Sequence, residues 1–149
     1  MPSRLKDYLL IMITSLCLCT PLHAAQASEQ LTLLSRSAPL HLKVELDQSQ
    51  RHWARGKQEL ILGTSAPDYP PFDLTSSGHD YEGFTADYAG ILGKVLDLPI
   101  KVRRFNSRGA AIEALENGEV DLLGTANGFE ASNDHIALSR PAWAECRST

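Results

Sequence analysis

Apolar residues fall along this chain in three rhythms, and each predicts a different kind of element. From Tyr8 to Cys19 the run is almost unbroken, from Glu29 to Glu45 it alternates in two short bursts, and beyond Leu60 it switches between strand and helix periods. The two bursts, Leu31 with Leu33 and then Leu40, Leu42 and Val44, are split by the turn-forming Ser35-Arg36-Ser37-Ala38-Pro39 and predict two edge-like strands. Asp47 or Ser49 can cap a short helix that carries Trp53 and stops at Gly56. Leu60-Ile61-Leu62-Gly63-Thr64 is a short apolar run of the kind buried in a parallel sheet, and Pro67, Pro70 and Pro71 make a stiff loop after it.

From Asp73 to Gly83 the pattern predicts a hairpin-like excursion around Ser76-Ser77-Gly78. Thr85 is the expected cap of the next helix, whose apolar stripe is Tyr88, Ile91, Leu92 and Val95, with Asp87 placed in the first turn to suit the helix dipole. Ile100 to Phe105 alternates as a half-exposed strand, which makes Arg103 and Arg104 a solvated face. Ser107 caps a further helix with Ala111, Ile112 and Leu115 on its apolar side, Asn117-Gly118 closes it, and Val120 to Thr125 forms the next strand. This β-α-β-α-β order predicts a parallel sheet with right-handed crossovers, which binds ligands at the carboxyl ends of its strands. The loop from Ala66 to Phe72 and the segment Thr125-Ala126-Asn127-Gly128 fall at that end.

The first apolar run changes the picture of where the protein works. Arg4 and Lys6 precede it, its 12 residues fall short of the roughly 20 that span a bilayer, and Ala25-Gln26-Ala27 fits a signal-peptidase site, so residues 1–27 are expected to be a cleaved export signal. Cys17 and Cys19 follow leucines rather than the small residues that lipidation signals need. Cleavage would leave Cys146 alone, without an internal disulfide, and would move the formal net charge from −4 to −5. A mildly acidic exported chain has no electrostatic reason to meet nucleic acid. His79, Asp80 and Glu82 lack regular metal-ligand spacing, and Ser139, His135 and Asp134 are close only along the chain. No catalytic residue, metal site or cofactor is expected.

Gly63-Thr64, Asp68-Tyr69-Pro70-Pro71-Phe72, Tyr81-Glu82-Gly83-Phe84, Asp87 and Gly118-Glu119-Val120-Asp121 occur in the order found in the first lobe of family 3 periplasmic solute-binding proteins. With Gly124-Thr125-Ala126-Asn127, the stretch from Asp68 to Phe129 most closely resembles the Venus-flytrap sensor domains of BvgS-type hybrid histidine kinases. The resemblance implies an α/β, periplasmic-binding-protein-like lobe in three layers, first lobe only. Residues 28–57 would be its lead-in strands and helix, 58–140 the lobe, cut short near its hinge, and 141–149 an atypical tail. It further implies that Tyr69, with Phe72 beside it, forms an aromatic platform for a ligand, and that Thr125 and Asn127 take the ligand's polar atoms.

Amino-acid binders of the family carry an arginine soon after the polar cluster, to hold the ligand carboxylate. The segment from Glu130 to His135 has none, and Thr85 stands where the transport proteins usually have aspartate. These departures imply a periplasmic sensor of a two-component system more than a transport protein for amino acids or small carboxylates. The implied partners are a small molecule, an amino acid or small carboxylate, and a second copy of the chain, as in dimeric sensor kinases. An enzyme of the cyclic-acid dehydratase kind on the same fold is the remaining alternative, and no motif supports it.

Overall fold

The structure is a computed structural model and describes residues 28–37, 44–126, 130 and 135–140. The export signal, the strand expected at Leu40 and Leu42, Asn127 and the tail with Cys146 lie outside the described residues. Five strands and three helices follow one another: β1 (Ser28–Leu33), α1 (Gln48–Gly56), β2 (Leu60–Ser65), β3 (Asp80–Tyr81), α2 (Phe84–Leu96), β4 (Ile100–Phe105), α3 (Arg108–Glu116) and β5 (Leu122–Leu123).

Local chemistry sets most of these boundaries. Asp47 closes a capping box at the start of α1: its carboxylate accepts from the Gln50 amide at 2.8 Å, and the Gln50 side chain accepts from the Asp47 amide at 2.9 Å. The Ser49 hydroxyl and then the Gln50 amide hold the Asp47 carboxyl below its usual range. Ser107 caps α3 by accepting from the Ala110 amide at 3.2 Å, and Gly118 leaves that helix with φ 72°. The expected cap at Thr85 is replaced by Gly83, at φ 106°. A Cβ at position 83 would collide with the Phe72 carbonyl oxygen, so the backbone can pass there only as glycine, and Thr85 becomes the second residue of the helix, where it is buried.

The sheet order is β3-β1-β4-β2-β5. Strands β4, β2 and β5 run parallel, with Leu62 opposite both Val102 and Leu122. In place of an all-parallel sheet with β1 at its edge, β1 lies inside, antiparallel to β4 and parallel to β3. Leu31 explains this: it faces Val102 across the strand pair and is almost fully buried, which an edge strand would not achieve.

Packing follows on both faces. Over one face α2 brings Ala86 and Ala89 onto Leu31, Leu62, Tyr81 and Val102; over the other α3 brings Ala111 and Ala114 onto Phe105 and Val120. Each fully buried Leu or Val side chain contributes roughly 1.5–3 kcal/mol. The stripe expected on α2 is rotated: Tyr88 is exposed, Ile91, Leu92 and Val95 are half-buried, and the small residues make the closest approach. A Cβ on Gly90 would collide with Ser35, so the same helix also carries the chain that leaves β1. The result is the three-layer α/β/α lobe, with a mixed sheet.

Candidate binding crevice

Strand β2 leads through α2 to β4 on one side, and β4 leads through α3 to β5 on the other. The carboxyl ends of β2 and β5 therefore form the switch point of this lobe, where a doubly wound sheet opens a crevice. Beyond β2 the proline-rich loop folds on itself through two backbone bonds, Tyr69 amide to Asp73 carbonyl and Asp73 amide to Tyr69 carbonyl, each 2.9 Å. Asp68 anchors it, accepting from the Thr75 amide at 2.7 Å and from Arg104 at 2.9 Å. Arg104 is thus half-buried against this loop, with its Nε enclosed and without a partner, rather than on a solvated strand face. Period-two alternation could not reveal a partner 36 residues upstream.

Three of the four ligand-contact residues expected from the sequence come together here. The Tyr69 ring is 61% exposed and stacks on Phe72, with centroids 5.5 Å apart and planes at 17°. Phe84 supports Phe72 edge-on at 5.9 Å. Thr125, beyond β5, reaches the same loop: its hydroxyl donates to the Asp73 carboxylate at 3.3 Å. Asn127 is outside the described residues.

Asp73 is the residue the sequence did not single out. Its side chain is 8% exposed, and the Tyr81 hydroxyl donates to one carboxylate oxygen while Thr125 donates to the other. Burial, and then the charge of Asp73, raise the Tyr81 phenol well above its ordinary range. Thr64 and Thr85 bring their hydroxyls toward the same phenol, yet Oγ1 of Thr85 is buried without a partner at hydrogen-bonding geometry. No local sequence pattern marks the cluster. The fold closes it with Gly124, where a Cβ would collide with the Thr85 side chain that packs against it.

Arg108, the first residue of α3, closes the other side. Its guanidinium donates to the Thr125 carbonyl at 2.5 Å and forks onto Glu130 at 2.8 and 3.0 Å. Asp87, expected as a helix-start residue, accepts from the Arg36 amide at 2.5 Å, and Glu82 pairs with the Arg36 side chain. Among the described residues no group of three His, Cys, Asp or Glu could hold a metal ion. A shallow depression along α1, lined by Gln48, Ser49, Arg51, His52 and Arg55, draws its walls from one helix and gathers no converging groups.

A doubly wound lobe with an aromatic loop after β2 and a hydroxyl after β5 fits a solute-binding fold. Residues 60–146 match the profile of the bacterial extracellular solute-binding proteins, family 3, and the chain belongs to that family. Within it, the chain is 44% identical over 121 residues to the virulence sensor protein BvgS of Bordetella pertussis, covering 81% of this chain and 10% of that protein. It is 41% identical over 147 residues to BvgS of Bordetella parapertussis, covering 97% and 12%. The sensor protein EvgS of Escherichia coli O157:H7 matches at 27% over 99 residues. The crystal structure of the B. pertussis BvgS periplasmic domain superposes with a TM-score of 0.64 at 44% identity, over 68% of this chain and 20% of that one. The chain spans about a tenth of the length of the BvgS relatives it matches.

Proposed function

We propose that this lobe is the ligand-sensing part of the periplasmic region of a BvgS-type sensor histidine kinase, and that it binds a small molecule without chemistry of its own. The observation that carries this reading is the likeness to a sensor across 97% of the chain, at 41% identity. The geometry supports it. The Tyr69–Phe72 stack offers a flat apolar face held by proline-stiffened backbone, so little conformational entropy is lost when a ligand lands on it. Thr125 offers a polar group across the crevice, and Asn127 follows two residues later. A second lobe closing over this crevice would turn occupancy into a mechanical signal to a kinase across the membrane.

The test is a graft. The matching segment of B. pertussis BvgS is replaced by residues 28–140 of this chain, and kinase output is read in cells with and without Tyr69→Ala and Thr125→Val. A graft that reaches the membrane at normal level and whose output responds to conditions, with the response altered by either substitution, supports a sensing lobe. A well-expressed graft whose output never varies, or varies identically in both variants, sinks it.

A further inference from the structure

Among the described residues, two ion pairs and one carboxylate without a cation stand at the carboxyl ends of β2 and β5. Arg104 is paired with Asp68 at 2.9 Å, and Arg108 with Glu130 through two bonds. The fork of Arg108, the guanidinium beside Thr125, already holds a carboxylate supplied by the chain itself. Asp73 is different. It is more than nine-tenths buried, two hydroxyls are its hydrogen-bond donors, and no cation pairs with it among the described residues.

A carboxylate enclosed without a cation is expensive, because hydroxyl dipoles replace only part of the lost hydration. Its cost falls when a cation arrives. A carboxylate has about four lone-pair positions, and the two hydroxyls use two of them. The Thr125 bond, at 3.3 Å, is long for an O–H donor and is the one most easily shared. The donated proton has a second consequence. With it turned to Asp73, the Thr125 oxygen presents lone pairs to the crevice and therefore accepts from a ligand rather than donating to it. Beside these groups stands the exposed face of Tyr69, negative at its centre, which attracts cations at short range. The partnerless Thr85 hydroxyl, 96% buried in the same cluster, adds a further acceptor without a counterpart.

We infer that the crevice selects a small organic ammonium compound, its N–H groups directed to Thr125 and Asp73 and its carbon skeleton on Tyr69, and that it discriminates against free carboxylates. This rests on the sensing-lobe reading above and narrows it: the ligand class follows from Glu130 neutralising Arg108 while no described residue neutralises Asp73.

The full chain is titrated by calorimetry and by thermal unfolding with putrescine, ethanolamine and tetramethylammonium, in parallel with acetate and succinate, at low and high salt. At least one of the two N–H-bearing amines should bind and raise the melting temperature with concentration, weakening at high salt; tetramethylammonium, which has no N–H, should bind more weakly. Asp73→Asn should lower amine affinity at least tenfold. Since that variant alters a buried site, Glu130→Gln serves as the second arm. It releases the Arg108 fork at a part-buried pair, so it should weaken amine binding and let succinate bind. Preference of the wild-type chain for acetate or succinate overturns the inference, as does failure of every amine to bind, or an Asp73→Asn variant that folds and binds amines as before. The BvgS graft is read separately: a responsive graft with no amine binding means the ligand class is wrong and sensing survives, whereas an unresponsive graft removes both.

Discussion

Two aspartates sit near opposite ends of the same strand and are used in opposite ways. At the amino end of β2, Asp121 accepts from the Ile61 amide at 2.8 Å and from the Lys57 ammonium at 2.5 Å, so one carboxylate satisfies a backbone donor and is itself neutralised. At the carboxyl end, Asp73 receives two hydroxyls and, among the described residues, no cation. The first arrangement closes the gap between β5 and the strand it pairs with, and leaves nothing over. The second leaves a charge, a partnerless hydroxyl at Thr85 and an exposed aromatic face in one crevice. Among the described residues, the amino end is finished as structure and the carboxyl end is left unfinished.

The largest effect is expected at Gly83, the start of α2, which packs on the loop of the carboxyl end. Gly83→Ala forces a side chain into a backbone conformation reserved for glycine and into the Phe72 carbonyl. The backbone conformation alone costs on the order of 1–3 kcal/mol, and the collision adds to it. Chemical denaturation should show the loss, and ligand response should fall with it, because the Phe72 loop must move. A variant as stable as wild type would mean that the loop is free to shift and that the crevice is not preformed.

Asp121→Ala should come next, at roughly 1–3 kcal/mol, since it strands a part-buried ammonium and a strand amide together. Its value lies in the contrast. Ligand affinity should be unchanged at temperatures where the variant is folded, whereas Asp73→Asn should keep most of its stability and lose affinity. If both aspartates moved stability and binding in the same proportion, the distinction between the two ends would fail.

How much of this was legible before the fold was known depends on the range of the interaction. Asp47, Ser107 and Gly118 act within four residues of where they stand, and each did what its type and position predicted. The run from β2 to β5 was equally clear, because period and turn residues change together there. Position β1 inside the sheet was not legible, since the Leu31 to Val102 pairing spans 71 positions and an isolated alternating burst looks the same at an edge or in the middle. Arg104 with Asp68 and Arg108 with Glu130 escaped for the same reason. In the crevice, Tyr69, Phe72 and Thr125 were visible through the family's motif order, while Asp73 and Tyr81 looked like ordinary ends of a hairpin. Their meeting is made by the fold, eight residues apart along the chain and on two different elements.

Alkaline pH separates the ends without a mutation. The Tyr81 phenol has a folded-state pKa above its unfolded value, so its contribution is complete below about pH 10 and is lost as pH rises beyond it, at about 1.4 kcal/mol per pH unit for one proton. Melting temperature measured from pH 8 to 11 should fall late and steeply in the wild type. Tyr81→Phe should flatten that fall while lowering stability at neutral pH, because Asp73 loses a donor. An unchanged alkaline limb in Tyr81→Phe would show that the phenol ionises freely and that the cluster is open to water.

The smallest effect expected is a gain. Thr85→Val keeps the shape of a side chain that packs against Gly124 and removes a buried hydroxyl that meets no partner. An enclosed polar group without a hydrogen bond costs roughly 1–3 kcal/mol, and part of that should return, so a rise in stability of about 1 kcal/mol is expected in denaturant titration. The gain should be paired with weaker response to the ligand, since the hydroxyl belongs to the unfinished end and not to the core beneath α2. Should Thr85→Val instead lose stability with the ligand response intact, the hydroxyl is bonded in solution, and the carboxyl end is as complete a piece of structure as the Lys57–Asp121 end opposite it.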